Sequence, residues 1–81
     1  MDLRQVFAAN LRRLRHRQGL SQETLAYEAG VNRTYLSKLE KGVSYVGLEI
    51  IGKLADVLDV EPAEFLRLPA AKRGRVPRAS R

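Results

Sequence analysis

Ala29, Gly30, Val31 and Asn32 leave almost no slack between two helical stretches, and that corner restricts the fold more than any other feature of the sequence. Gly30 is the residue type that lets a chain leave a helix in a left-handed conformation. Asn32, two places on, suits the cap of the next helix because its side-chain oxygen can accept from a free backbone amide. The first helix of the pair starts after Ser21, a cap of the same kind, with Leu25, Ala26 and Ala29 facing inward. The second runs from Arg33 to about Lys41 and stops at Gly42. Helices joined so tightly cross steeply, which requires a small residue where they touch and apolar residues holding the second helix down. Ala26, Val31, Leu36 and Leu39 supply these.

The flanks also read as helix. Leu3, Phe7, Leu11 and Leu14 recur at spacings of three or four, with Arg12, Arg13, Arg15 and Arg17 between them, predicting an amphipathic helix that ends near Gln18 at Gly19. A fourth helix is predicted over about Leu48 to Leu58, with Leu48, Ile51, Ala55 and Leu58 on its inner face. Gly52 inside it costs on the order of 1 kcal/mol relative to alanine, so a close-packing reason for it is expected. Glu61-Pro62 begins a fifth, short helix, because proline is well suited to the first helical position; Phe65 is its expected core anchor. The expectation is an all-α fold of five helices in one domain, residues 1–68, followed by a flexible basic tail, residues 69–81.

Composition narrows the chemistry. The absence of cysteine and the presence of one histidine leave no cluster with metal-ligand spacing and no thiol nucleophile. There is no nucleophile-base set, no paired carboxylate in a plausible cleft and no glycine-rich phosphate loop, so no catalysis, cofactor, metal or small-molecule ligand is expected. His16 sits among arginines on an outer face and is assigned no role. No apolar run approaches the roughly 20 residues needed to span a bilayer, and no secretory segment opens the chain, so a cytoplasmic location is expected. The net charge of +6 suggests a polyanionic partner. It is unevenly placed, however: residues 1–68 hold ten Lys/Arg against nine Asp/Glu, and residues 69–81 hold five Lys/Arg and no acid.

Placement within the domain is more telling. With Leu36 and Leu39 turned inward, the third helix presents Arg33, Thr34, Ser37, Lys38 and Lys41 as one polar stripe without an acid. A helix fits the major groove of DNA, where arginine and lysine can donate to guanine and threonine can meet the thymine methyl. The segment SQETLAYEAGVNRTYLSKLEKG, its lead-in LRRLR and the trailing L-x-x-L-A-x-x-L-x-V-x-x-x-x-F together resemble the Cro and repressor family of helix-turn-helix regulators, also called the xenobiotic-response-element family. The resemblance covers about Val6 to Leu66 and implies a five-helix, lambda-repressor-like domain whose second and third helices form the helix-turn-helix. It also implies that Arg33, Thr34 and Lys38 stand where related phage repressors read bases, and that Glu40 pairs with Arg15 of the first helix.

Residues near the N-terminus of a reading helix reach deepest, so Arg33 and Thr34 are the leading base-reading candidates, followed by Lys38 and Ser37. Gln22 and Asn32 at helix starts, Lys41 at the end of the stripe and the loop residues Ser44 and Tyr45 are the candidate phosphate contacts. The chain departs from the family at Val46-Gly47, where proline followed by serine or threonine is common. It departs again at Ile50 and Val57, where polar or small residues are usual. With Leu54 and Leu66 these two could form an exposed apolar patch, and a homodimer joined there is expected on double-stranded DNA with an inverted repeat. The alternative is an antitoxin or adaptor that uses the same patch to hold a protein partner.

Overall fold

The computed structural model describes residues 1–68, so the predicted tail at 69–81 lies outside the described residues. Four α-helices form: α1 (Leu3–Arg17), α2 (Gln22–Ala29), α3 (Arg33–Lys41) and α4 (Leu48–Leu58). Local chemistry sets their ends. Asp2, Ser21 and Asn32 each accept a backbone amide from the first turn that follows, while Gly30 and Gly42 close α2 and α3 with φ of +71° and +75°. α4 starts at Gly47 without a side-chain cap, the consequence of lacking serine or threonine there.

The expected fifth α-helix is instead a 3₁₀ turn, Pro62–Leu66. The Glu64 amide bonds back three places to the Glu61 carbonyl at 2.9 Å, the tight spacing that so short a connecting segment commonly takes, and the buried Asn10 of α1 ties the turn down by donating its side-chain amide to the carbonyls of Phe65 and Arg67, at 2.9 Å each. Arg67 leaves the turn in an extended conformation.

α1 packs on α3 and on the 3₁₀ turn, α2 packs on α3 and α4, and α4 also meets the turn. One core results, built from Phe7, Leu11, Leu14, Leu25, Leu36, Leu39, Leu54, Leu58 and Phe65. The rings of Phe7 and Phe65 sit with centroids 5.1 Å apart and tilted by 42°, within the usual range for favourable aromatic pairs.

On α4 the inner face differs from the expected one. Leu48 is 86% exposed, whereas Leu54 is fully buried, so the face runs through Ile51, Leu54, Ala55 and Leu58. Ile51, Ala55 and Leu58 lie on the inner face as expected, and the exception is Leu48, in the first turn, whose place in the core is taken by Leu54. Leu3, at the open end of α1, is likewise 55% exposed.

Gly52 has no packing reason either. A methyl group built there meets no heavy atom within 4 Å beyond its own helix. Gly52→Ala should therefore stabilise the domain by about 0.5–1 kcal/mol through the unfolded chain's lost freedom, raising the thermal midpoint by roughly 2–8 °C. Calorimetry on the two proteins checks this, and an unchanged or lowered midpoint would mean that the site is occupied in solution.

Candidate nucleic-acid interface

The outer face of α3 is built by default: Leu36, Leu39 and Glu40 turn inward, which leaves Arg33, Thr34, Lys38 and Lys41 exposed and Ser37 half-buried. Asn32 starts this face but is already engaged, since its side-chain oxygen accepts the Tyr35 amide at 3.1 Å. Only its amide group remains free to meet another molecule.

The C-terminal end of α3 is fastened to α1 by three side chains spaced along one helix. Gln5 donates to the Gly42 carbonyl at 3.2 Å, Arg12 donates to the Glu40 carbonyl, and Arg15 grips the Glu40 carboxylate. The grip is bidentate, with Arg15 Nε 2.5 Å from Oε2 and Nη2 2.9 Å from Oε1. Arg15 also donates to the Leu20 carbonyl at 2.8 Å. A side chain at position 42 would be strained by the φ of +75° and would displace the Gln5 amide from its bond to the Gly42 carbonyl, since a Cβ would lie 2.4 Å from Gln5 Nε2.

Gln22 is drawn into the same cluster. Its side-chain amide donates one N–H to Glu40 Oε1 at 3.0 Å and keeps the other, and the backbone amides of α2 expected to face phosphate open at this residue. Burial pushes the Glu40 carboxyl up, but the hydrogen bonds from Arg15 and Gln22 and the arginine's charge outweigh burial and hold it below its ordinary value.

On the opposite flank of α3 lies the loop from Val43 to Gly47. Ser44 and Val46 are half-buried, and Tyr45 is 77% exposed. Tyr45 is not isolated: the Arg4 guanidinium stands 4.7 Å above its ring, and the Tyr35 hydroxyl donates to its carbonyl at 2.8 Å. Neither Arg4 nor Tyr35 was a candidate on sequence grounds. For Tyr35 the one available signal was a phenol at the margin of an otherwise charged or hydroxylated stripe.

The proposed dimer patch is only partly available. Leu54 is fully enclosed by its own subunit and is withdrawn from it, Ile50 and Val57 are half-buried, and Leu66 is 47% exposed. Beside Leu66 a groove of about 300 Å³ opens between the start of α1 and the α3–α4 loop, lined chiefly by Leu3, Phe7, Tyr45, Val46 and Ile51. Among the described residues no helix is long and apolar enough to cross a membrane.

Two short helices joined by a tight glycine turn, the second with an exposed face that carries no acid, have the form of a helix-turn-helix. Comparison with known proteins agrees, since a helix-turn-helix domain family matches residues 6–68. Control protein C.BamHI of Bacillus amyloliquefaciens is 36% identical over 66 residues, which cover 80% of this chain and 82% of that protein. The structure is similar to the restriction-modification controller protein C.AhdI from Aeromonas hydrophila, with a TM-score of 0.74 and 47% identity, covering 76% of this chain and 94% of that one. It is also similar to the hypothetical transcription factor NHTF from Neisseria, with a TM-score of 0.80 and 40% identity over 91% and 84% of the two chains. The chain belongs to the helix-turn-helix family and is a DNA-binding transcription regulator of the xenobiotic-response-element type.

The Arg15–Glu40 pair yields a test of how α3 is held. Because the carboxyl is more acidic in the folded chain than in the unfolded one, its contribution is complete above the unfolded value, about 4.3 for glutamate. It is lost as the pH falls through the lower, folded value. The thermal midpoint of the wild type should therefore drop on acidification through this window, and that of Glu40→Gln should fall less. At neutral pH the variant should be less stable by about 3 kcal/mol, because a buried guanidinium loses its counter-charge. Parallel acid profiles for the two proteins would assign the acid limb to other carboxylates.

Proposed function

We propose that this regulator binds an inverted-repeat operator as a homodimer, each subunit laying α3 in a major groove and reading bases with Arg33, Thr34, Ser37 and Lys38. The observation that carries the reading is the exposure of Arg33, Thr34 and Lys38 on one face of a helix whose only acid, Glu40, is buried and neutralised. Lys41 and the loop residues Ser44 and Tyr45 meet the phosphates on one flank, and the amides of α2 beginning at Gln22 meet them on the other, with Asn32 between. Binding acts by occupancy, blocking or recruiting RNA polymerase. The two controller proteins among the relatives support a controller role of the same kind.

Two reading helices must stand about 34 Å apart to enter successive grooves, and a second subunit supplies that spacing. Ile50, Val57 and Leu66 supply the contact in this proposal, as apolar side chains that their own subunit leaves partly uncovered. Ile50→Asp should shift the protein toward monomer in sedimentation at micromolar concentration and weaken operator binding. A monomeric wild type, or a variant as dimeric as the wild type, would remove this face from the interface.

The reading of bases has its own check. In selection of bound sequences from a random DNA pool, Arg33→Ala should relax the preference at one position of each half-site, at a cost of about 1–3 kcal/mol. Lys41→Ala should weaken all sequences alike and lower the slope of log K against log salt by about 0.9 per lost contact. An Arg33→Ala protein with undiminished preference at every position would exclude this face as the reader.

A further inference from the structure

Tyr35 has no part in the reading above, yet it joins two pieces of the interface. Among the described residues its hydroxyl makes the only side-chain hydrogen bond from α3 to the following loop, donating to the Tyr45 carbonyl at 2.8 Å. Each end of this connection makes a further contact. The Tyr35 amide is held by the Asn32 cap within the first turn of α3, beside Arg33 and Thr34, and the ring packs against the core. Beyond the carbonyl, the Tyr45 ring lies under the Arg4 guanidinium, which is itself tied to Asp2 through Nε at 3.3 Å and Nη2 at 3.2 Å. A tyrosine has two side-chain torsions, so a strut made of it orders a neighbouring segment at small entropic cost.

We infer that Tyr35 is a positioning residue that sets the distance between the base-reading end of α3 and the phosphate-facing loop, so that both engage one duplex in register. The inference rests on the proposed contact of Ser44 and Tyr45 with phosphate. Preorganisation of this kind improves affinity by removing the ordering cost of the loop at the moment of binding. The residue need not touch DNA to do so.

Tyr35→Phe tests it, since the ring and its packing remain and only the hydroxyl is lost. In the free protein, amide exchange at Ser44, Tyr45 and Val46 should accelerate relative to the rest of the domain. On operator DNA the Kd should rise by about three- to tenfold, the size expected for one hydrogen bond. Ethylation interference should weaken at the phosphates opposite the loop, while base preference at the positions read by Arg33 and Thr34 stays as in the wild type. Ser44→Ala serves as the reference for the underlying reading. If it leaves the interference pattern intact, the loop does not face phosphate and the inference falls with that reading. If Ser44→Ala removes interference but Tyr35→Phe matches the wild type in both footprint and loop exchange, the strut is overturned while the loop contact stands. A Tyr35→Phe protein with weakened footprint and unaltered loop exchange would mean that the hydroxyl binds DNA directly, which also overturns the positioning role.

Discussion

Glu40 is the one acid on α3, and it is 3% exposed. Taking a carboxylate and a guanidinium out of water costs several kcal/mol per ion, which only good geometry and full hydrogen bonding can offset. Both conditions are met here, because Arg15 binds both carboxylate oxygens and Gln22 shares one of them. The consequence is positional. Moving α3 by one turn or rotating it would strand a charge in the interior, so the pair penalises every other pose of the helix. Arg12 and Gln5 add backbone bonds at the same end, and α3 is held by its buried side and its C-terminus while its outer face stays uncommitted.

Polar groups beside that face are partly engaged within the protein. Asn32 spends its oxygen on the cap, Gln22 its amide on Glu40 and Tyr35 its hydroxyl on the loop. What remains on α3 is a set of side chains whose helical anchors cannot shift, which suits direct readout, where a bidentate contact depends on placement of the donor.

The parts of the fold legible in the sequence were those decided locally. Ser21, Asn32, Gly30 and Gly42 act on their own backbone within a turn, and the helix bounds they imply match the observed α2 and α3. The exposed stripe of α3 followed from the same periodicity. The Arg15–Glu40 contact came through family resemblance, because residues 25 apart in sequence carry no local sign of meeting. Which of Leu48 and Leu54 is enclosed was illegible for a related reason: both are leucines, and enclosure is decided by residues packed from elsewhere in the chain. The bonds that Asn10 makes to the 3₁₀ turn, more than fifty residues on, and that Gln22 makes to Glu40 on another helix have no local sign either.

Charge pairing sorts the cations of the described residues in a way net charge does not. Arg4, Arg15, Lys53 and Arg67 each face an acid, on Asp2, Glu40, Glu49 and Glu64. Among the described residues the cations outside these pairs are Arg12, Arg13 and Arg17 on α1 and Arg33, Lys38 and Lys41 on α3. The acids outside them fall elsewhere: Glu23 and Glu28 on α2, Asp56 on α4, and Asp59 and Glu61 just after it. A domain whose ten cations nearly balance its nine acids is thus polarised rather than neutral in effect. Attraction of a polyanion to the unpaired cations of α3 and α1 weakens with salt as the Debye length shortens.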